Sequence, residues 1–443
     1  MQGVKDFDEQ AFLQVHQSGE QVTSVRLNPL KPVDWFPNFE TVSNVPWSEY
    51  GRYLSQRPSF TFDPLFHAGT YYVQEASSMF LEQALRQSAD LSKPLKVLDL
   101  SAAPGGKSTH LQSLISNDSL LVSNEVIRTR ANILKDNIIK WGGGNVVVTH
   151  NDPADFTRLE NYFDVIVIDA PCSGSGLFRR EPEAIDEWSE QNVNHCAQRQ
   201  QRILADVFPA LKKDGILIYS TCSYSPQEDE SILDWFTSDF KLQTLRLQTG
   251  DPAITEVETG NGAFGYRFWP YKIKGEGFFL AVFKKTTGGD EPYLRTRKKA
   301  AGLTANETER IARWIDHSNF ELVRHEQTIY AWPLTHSFEM NFLLNNLRVI
   351  YSGILLGELK HDKLVPDHAL AMSTHTSASI PVVELGLDDA IRYLQRKDIP
   401  TPTEIKGWAL MAYRGHPVGW ANILPNRVNN YYPKEMRILK EKE

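Results

Sequence analysis

Cysteine is scarce in this chain, with three in 443 residues. So few thiols cannot build a disulfide framework, and free ones suit a reducing, cytoplasmic setting. Their positions, 172, 196 and 222, match no zinc spacing and the 12 histidines are scattered, so no metal is expected. Long apolar runs are missing too. None reaches the ~18 residues of a membrane-spanning helix, so no membrane partner is expected. The first residues, Met1-Gln-Gly-Val-Lys-Asp-Phe-Asp-Glu9, lack a basic stretch followed by an apolar core, and no signal peptide is expected. Positive charge is not in excess: the formal net charge is -8. That argues against a protein coated in nucleic acid but leaves room for a local basic groove. No internal repeat or low-complexity segment is visible.

What is present is an ordinary globular composition, 41% hydrophobic and 23% charged, in a chain long enough for two or three domains. Three apolar runs end in chemically loaded loops. They are Lys96-Val-Leu-Asp-Leu-Ser-Ala-Ala-Pro-Gly-Gly-Lys107, Phe163-Asp-Val-Ile-Val-Ile-Asp-Ala-Pro-Cys172-Ser-Gly and Gly215-Ile-Leu-Ile-Tyr-Ser-Thr-Cys222-Ser. Short continuous Val/Ile/Leu runs read as parallel strands covered on both faces, and ligands collect at the carboxyl ends of such strands. The pattern predicts α/β structure, with strands at 97–100, 120–123, 146–149, 165–169 and 216–220. Helices are expected at 107–115, 127–141 and 192–211. Pro153 breaks the 150–163 connection, which is too short for a long crossover helix, and the run from Phe278 reads as a late antiparallel strand. A Gly-rich, then basic stretch from Thr286 is a linker. Beyond it come a helix at 304–314, β-like pieces at 329–333 and 349–356, a helix at 387–397 and short strands from Gly407. Four parts are expected: an α+β lead-in at 1–70, the α/β core at 71–287, an intermediate α+β part at 288–384 and a small β-barrel-like end at 385–443.

The Gly-rich loop allows a ligand close to the backbone. It is not the dinucleotide fingerprint, because Gly105 and Gly106 are adjacent. It approaches the phosphate loop of ATPases in Gly106-Lys107-Ser108. Yet Ser101 stands where that loop opens on Gly, and Pro104 removes an amide donor. Acidic residues end the following strands. Glu125 follows Asn124 at the second, Asp152 follows Asn151 at the third, placed to face an adenine edge, and Asp169 ends the fourth. An acidic residue about 20 positions on can hold ribose hydroxyls. Successive carboxylates suit a nucleoside carrying a sulfonium and repel a triphosphate. The set points to S-adenosyl-L-methionine.

Cys172 and Cys222 sit in polar Gly/Pro/Ser loops, whereas Cys196 falls inside a helical stretch and reads as packing. Carbon 5 of cytosine is too electron-poor to take a methyl from a sulfonium directly. A thiolate adding to C6 makes C5 nucleophilic, and a base must later remove the C5 proton so that the sulfur can leave. Asp169 is placed to hold N3 and the exocyclic amine. A free thiol titrates near ~8.5, so Cys222 needs Lys107 or nearby amides to ionise.

The chain resembles the RNA cytosine-5 methyltransferases of the Nol/Nop/Sun type, and within them the bacterial ribosomal-RNA, RsmF-like branch. The motifs are Tyr71-Tyr-Val-Gln-Glu-Ala-Ser-Ser-Met79, Asp99-Leu-Ser-Ala-Ala-Pro-Gly-Gly-Lys107, Asn124-Glu-Val-Ile-Arg-Thr-Arg130, Asp169-Ala-Pro-Cys-Ser-Gly and Ser220-Thr-Cys-Ser. Arg267-Phe-Trp-Pro, Gly275-Glu-Gly-Phe-Phe and Asn429-Asn-Tyr-Tyr-Pro-Lys-Glu-Met-Arg-Ile add to them. The resemblance implies a Rossmann-like S-adenosylmethionine-dependent methyltransferase core with a PUA-like RNA-binding end. It implies Cys222 as nucleophile and Cys172 as the group assisting proton removal and release. Cofactor contacts are implied at Ser101, Ala102, Ala103, Pro104, Gly105, Gly106 and Lys107, and at Glu125, Arg130, Asp152 and Asp169. The expected partner of this monomer is structured RNA, ribosomal RNA before transfer RNA. The last 30 residues hold six Lys/Arg against three Asp/Glu, as an RNA-facing end would. A catalytically silent RNA-binding factor is the reading from another class, and the presence of both thiols speaks against it. Deleting everything beyond about 290 is expected to spare cofactor binding.

Overall fold

Runs such as Val146-Val-Val-Thr149 show no alternation of apolar and polar residues, so they need cover on both faces. In the computed structural model, which describes residues 4–289, 296, 298–360, 363–402 and 404–441, they lie inside one ten-stranded sheet. Five parallel neighbours form its middle, in the order Leu211–Thr221, Phe163–Asp169, Lys96–Asp99, Leu120–Asn124 and Val146–Thr149. Chain order reverses at Lys96–Asp99, which opens a crevice at the carboxyl ends there. Antiparallel strands extend both sides. Phe278–Lys285, Phe264–Phe268 and Thr255–Glu258 follow Leu211–Thr221, and Val349–Ser352 pairs with Val146–Thr149. Separate apolar cores cover the two faces.

The connections follow local chemistry. Gly106–Leu114 and Arg128–Trp141 form as helices. The third helix runs Glu190–Val207 behind a Ser189 cap, and ends earlier than the sequence pattern suggests. Pro209 cannot donate to an α-turn, so Phe208–Ala210 tightens into a 3-10 turn and Leu211 already starts the strand. Between Val146–Thr149 and Phe163–Asp169 there is only the 3-10 segment Pro153–Leu159, capped by Asp152. The 349–356 run departs from expectation. Its hydrophobicity reads as one strand, but Gly353, at φ 62, turns the chain between two. Val349–Ser352 stays in the central sheet, whereas Ile354–Lys360 enters a five-stranded antiparallel sheet with Phe320–His325 and Thr328–Pro333.

A four-stranded sheet, Thr41–Asn44, Gly51–Leu54, Ser24–Leu27 and Tyr71–Val73, precedes the core. Another, built around the hairpin Gly407–Tyr413 and His416–Leu424, ends the chain. The two ends share one apolar core, in which Val25, Leu65 and Tyr71 meet Tyr393, Met411 and Tyr432.

Candidate active site

The loop after Lys96–Asp99 is held from both neighbouring strands. Leu100 N donates to Val167 O at 3.0 Å, and Ala102 N to Asn124 O at 2.8 Å. Gly105 takes φ 120, a conformation that side chains resist, and opens the helix Gly106–Leu114. Behind the loop lies Arg26, which the sequence did not single out. Its buried guanidinium donates to Gly106 O at 3.3 Å, Thr109 Oγ1 at 2.6 Å and Gln74 Oε1 at 2.8 Å, and stacks on Trp141. Burial pulls its pKa down to about 9. Through it the first sheet braces the loop.

Asn124 and Asn151 serve the backbone. Asn124 is fully buried; its Nδ2 donates to Leu100 O and Asn151 O, and its Oδ1 accepts from Thr149 Oγ1 and Asn151 N. Asn151 Oδ1 accepts from Arg348 N at 2.9 Å, so its oxygen ties the loop to the distal half of the chain. Glu125 is buried beneath Arg130. Its Oε1 accepts from Ile127 N at 2.9 Å, and Arg130 Nη1 stands 3.7 Å from its Oε2. Arg130 Nη2 also donates to Ala103 O at 2.9 Å, closing one side of the loop. Asp152 is half-buried, caps Ala154 N and faces Arg202 at 3.9 Å.

A further carboxylate, Asp99, ends the first strand and was read only as part of a motif. It is fully buried; Ser108 Oγ lies 2.6 Å from its Oδ2, and its Oδ1 has no partner among the described residues. Burial pushes its pKa up to about 7, with Asp169 and Glu125 adding to the rise. Asp169 pairs with Lys107 Nζ at 2.7 Å and accepts from Ser220 Oγ at 3.0 Å. Burial lowers the Lys107 ammonium, but Asp169, Asp99 and Cys222 outweigh it and hold its pKa above the usual value. Acidic groups thus crowd one crevice around a Gly-rich backbone, and one oxygen is unpartnered. A ligand carrying sulfonium and ammonium charges fits that demand, which a triphosphate would worsen.

The two thiols meet. Cys172 Sγ and Cys222 Sγ are 3.1 Å apart, and both are free. The loops that carry them are zipped together. Gly176 N donates to Cys222 O at 2.8 Å, and Gly277 N to Gly176 O at 3.2 Å. A Cβ on Gly176 would come within 2.7 Å of both Gly277 O and Cys222 O, so only glycine allows this approach. The contact with Cys222, then burial and the charges of Cys222 and Glu228, hold the Cys172 pKa well above the thiol value. Cys196 stays apart on the helix Glu190–Val207, within 3.9 Å of Asn192 Oδ1. Size does not mark the site: a cavity of about 560 Å³ lies elsewhere, lined by Lys298, Arg324, Tyr330, Trp332 and Tyr351.

Four family models match successive parts of the chain. They are described as the N-terminal domain of 16S rRNA methyltransferase RsmF (residues 1–76), 16S rRNA methyltransferase RsmB/F (89–284), the RsmF rRNA methyltransferase first C-terminal domain (310–373) and the methyltransferase RsmF PUA domain (380–438). Two proteins named ribosomal RNA small subunit methyltransferase F align along most of their length. That of Psychromonas ingrahamii is 32% identical over 88% of this chain and 85% of its own. That of Aeromonas hydrophila is 31% identical over 93% and 90%. A solved methyltransferase homologue from Pyrococcus horikoshii is 29% identical, with TM-score 0.52 over 62% of this chain and 90% of its own. NSun6 from the same organism, solved with SFG, shares the fold at 16% identity, with TM-score 0.51 over 63% and 94%. The expected Rossmann-like core for S-adenosyl-L-methionine and the PUA-like end both stand. With that likeness running through nearly all of both chains, this chain belongs to the ribosomal RNA small subunit methyltransferase F family.

Proposed function

We propose that this RNA methyltransferase forms 5-methylcytosine in ribosomal RNA, through a covalent bond between Cys222 and C6 of the target base. The observation that carries this reading is the pair of free thiols in contact at the ends of neighbouring strands, beside the Lys107–Asp169 pair. The contact with Cys222, burial and Glu228 hold the Cys172 pKa well above the thiol value, and the likeness to the RNA cytosine-5 enzymes assigns the attack to Cys222. Lys107 is held charged beside the thiol pair, by Asp169 first and by Cys222 among its other neighbours. Addition to C6 shifts the ring's electron pair to C5, while Asp169 holds N3 and the exocyclic amine. S-adenosyl-L-methionine supplies the electrophilic methyl group that C5 then takes. Once Cys222 sulfur is bound to carbon, its hydrogen bond and charge no longer hold the Cys172 proton. Cys172 then releases its proton to solvent and its thiolate takes the C5 proton; the C5–H electron pair restores the C5–C6 double bond as the C6–S bond breaks and Cys222 leaves as a thiolate. The loop 101–107, Glu125, Arg130 and Asp152 are assigned to the cofactor.

The target base must leave its stack, which costs a few kcal/mol and favours loops or junctions of structured RNA. Bisulfite sequencing of ribosomal RNA from cells with and without the gene tests the reading. One cytosine should lose protection without the gene. Loss of a methylated cytosine only in transfer RNA would keep the chemistry and overturn the substrate.

Cofactor binding should depend on pH through Asp99. Its pKa in the fold, about 7, lies above its ordinary value of 3.8. A protonated Asp99 therefore stabilises the ligand-free protein at low pH, and that contribution is lost as pH rises through about 7. A cationic ligand favours the ionised form, so binding should release a proton near neutrality. Affinity should fall by up to about tenfold per pH unit below that. Calorimetry in buffers of different ionisation enthalpy would detect the proton, and Asp99→Asn should flatten the profile. Equal enthalpies in all buffers would remove Asp99 from the cofactor's field.

A further inference from the structure

Between the strand Leu211–Thr221 and the helix Glu230–Asp239, the chain buries two carboxylates completely: Asp229 in an ion pair with Arg267, and Glu228. Such burial costs several kcal/mol unless donors surround the charge. Around Glu228 four do. Ser173 N and Gln200 Nε2 donate to Oε1 at 2.8 and 3.2 Å. The hydroxyls of Ser173 and Ser223 donate to Oε2, the second at 2.7 Å. Ser173 follows Cys172 and Ser223 follows Cys222. Gln200 Nε2 also donates to Pro171 O at 3.0 Å, gripping the other side of Cys172. Tyr219 Oη donates to Glu228 O at 2.7 Å, which fixes the carboxylate's own backbone to the strand.

The need for this follows from the chemistry. The two sulfurs serve neighbouring ring carbons, yet they ride on loops from different strands. Drift of about 1 Å between such loops is enough to cost ~10²-fold in rate. A buried carboxylate accepting from both loops resists that drift with charge-assisted hydrogen bonds, which are stronger than neutral ones.

We propose that Glu228 is the positioning residue of the two-thiol centre, tying the Cys172 loop to the Cys222 loop through Ser173 and Ser223. It touches neither substrate nor cofactor, and the inference rests on the cytosine C5 reading above. In Glu228→Gln one oxygen becomes a donor that faces donors, while the volume is kept. Methylation of ribosomal RNA from cells lacking the gene is measured with tritiated S-adenosyl-L-methionine, beside calorimetric cofactor affinity. The turnover number kcat should fall about 10²-fold. The cofactor Kd and the KM for RNA should stay within about threefold, as expected when only the chemical step is disturbed. A milder variant, Ser173→Ala with Ser223→Ala, leaves the carboxylate but removes its hydroxyl donors, and should lower kcat in the same sense. It also decides the matter should Glu228→Gln fail to fold. A kcat within about threefold of wild type in a folded variant, or a loss that merely parallels weakened cofactor binding, overturns the proposal. If the wild-type protein itself forms no 5-methylcytosine, the chemical reading fails instead.

Discussion

Cys172→Ala is expected to leave a protein–RNA complex that survives denaturing gels, and Cys222→Ala is expected to leave none. Without a nucleophile no adduct forms, and methyl transfer should fall by about 10⁴–10⁶-fold, the range for losing a covalent catalyst. Without the releasing group, addition and methyl transfer proceed, but the C5 proton stays and the thioether cannot break. The competing assignment comes from DNA cytosine-5 methyltransferases, which use the cysteine of a Pro-Cys pair; here that would be Cys172. The environment of the thiols favours the first assignment. The contact with Cys222, burial and Glu228 hold the Cys172 pKa well above the thiol value. A trapped complex that appears only with Cys222→Ala would show the two roles to be reversed.

The thiol pair was legible because each cysteine follows an unbroken apolar run, and parallel strands bring their carboxyl ends together. Spacing along the chain could not reveal that the two sulfurs touch, since that depends on how two loops cross at Gly176. Glu228 was missed for a related reason. It follows Pro226 and precedes a helix, and so reads as an ordinary acidic residue in a helix start; only the folded loops show that its donors are Ser173 and Ser223. Spacing along the chain was equally silent on Asn151, whose Oδ1 accepts from Arg348 N, nearly 200 positions away.

The fold divides along the same line. The five parallel strands and their helices carry local signals: β-branched runs, glycine at turns and the Ser189 cap. Tertiary choices were not visible in those signals. The run at 349–356 has the hydrophobicity of one strand, and nothing local says that its halves serve different sheets. The core shared by the two chain ends, which holds Val25 together with Met411 and Tyr432, likewise joins segments that no periodicity connects.

That tertiary choice reverses the outcome expected for a protein cut after residue 289. With Val349–Ser352 gone, the fully buried strand Val146–Thr149 becomes an exposed edge of bare valines. The cut also strips Met340, Phe342, Leu343 and Leu347 from one face of the sheet, where they pack in the core that holds Phe156 and Tyr162. At about 2 kcal/mol for each large apolar side chain, this loss approaches the ~5–15 kcal/mol that holds a typical protein folded. The cofactor crevice is tethered through the same segment. Arg348 N donates to Asn151 Oδ1, and Arg348 O accepts from His150 N, so the loop leading to Asp152 loses two of its anchors and keeps those to Asn124. The fragment 1–289 should therefore aggregate, or melt at least about 10 °C below the full chain, and bind S-adenosyl-L-methionine weakly. A cut after 379 spares Arg348 and the edge strand, and should retain more of both properties even though it opens the core shared by the chain ends. Scanning calorimetry and cofactor titration of the two fragments decide the matter: a 1–289 fragment that melts and binds like the full chain would mean that Val349–Ser352 only decorates the sheet.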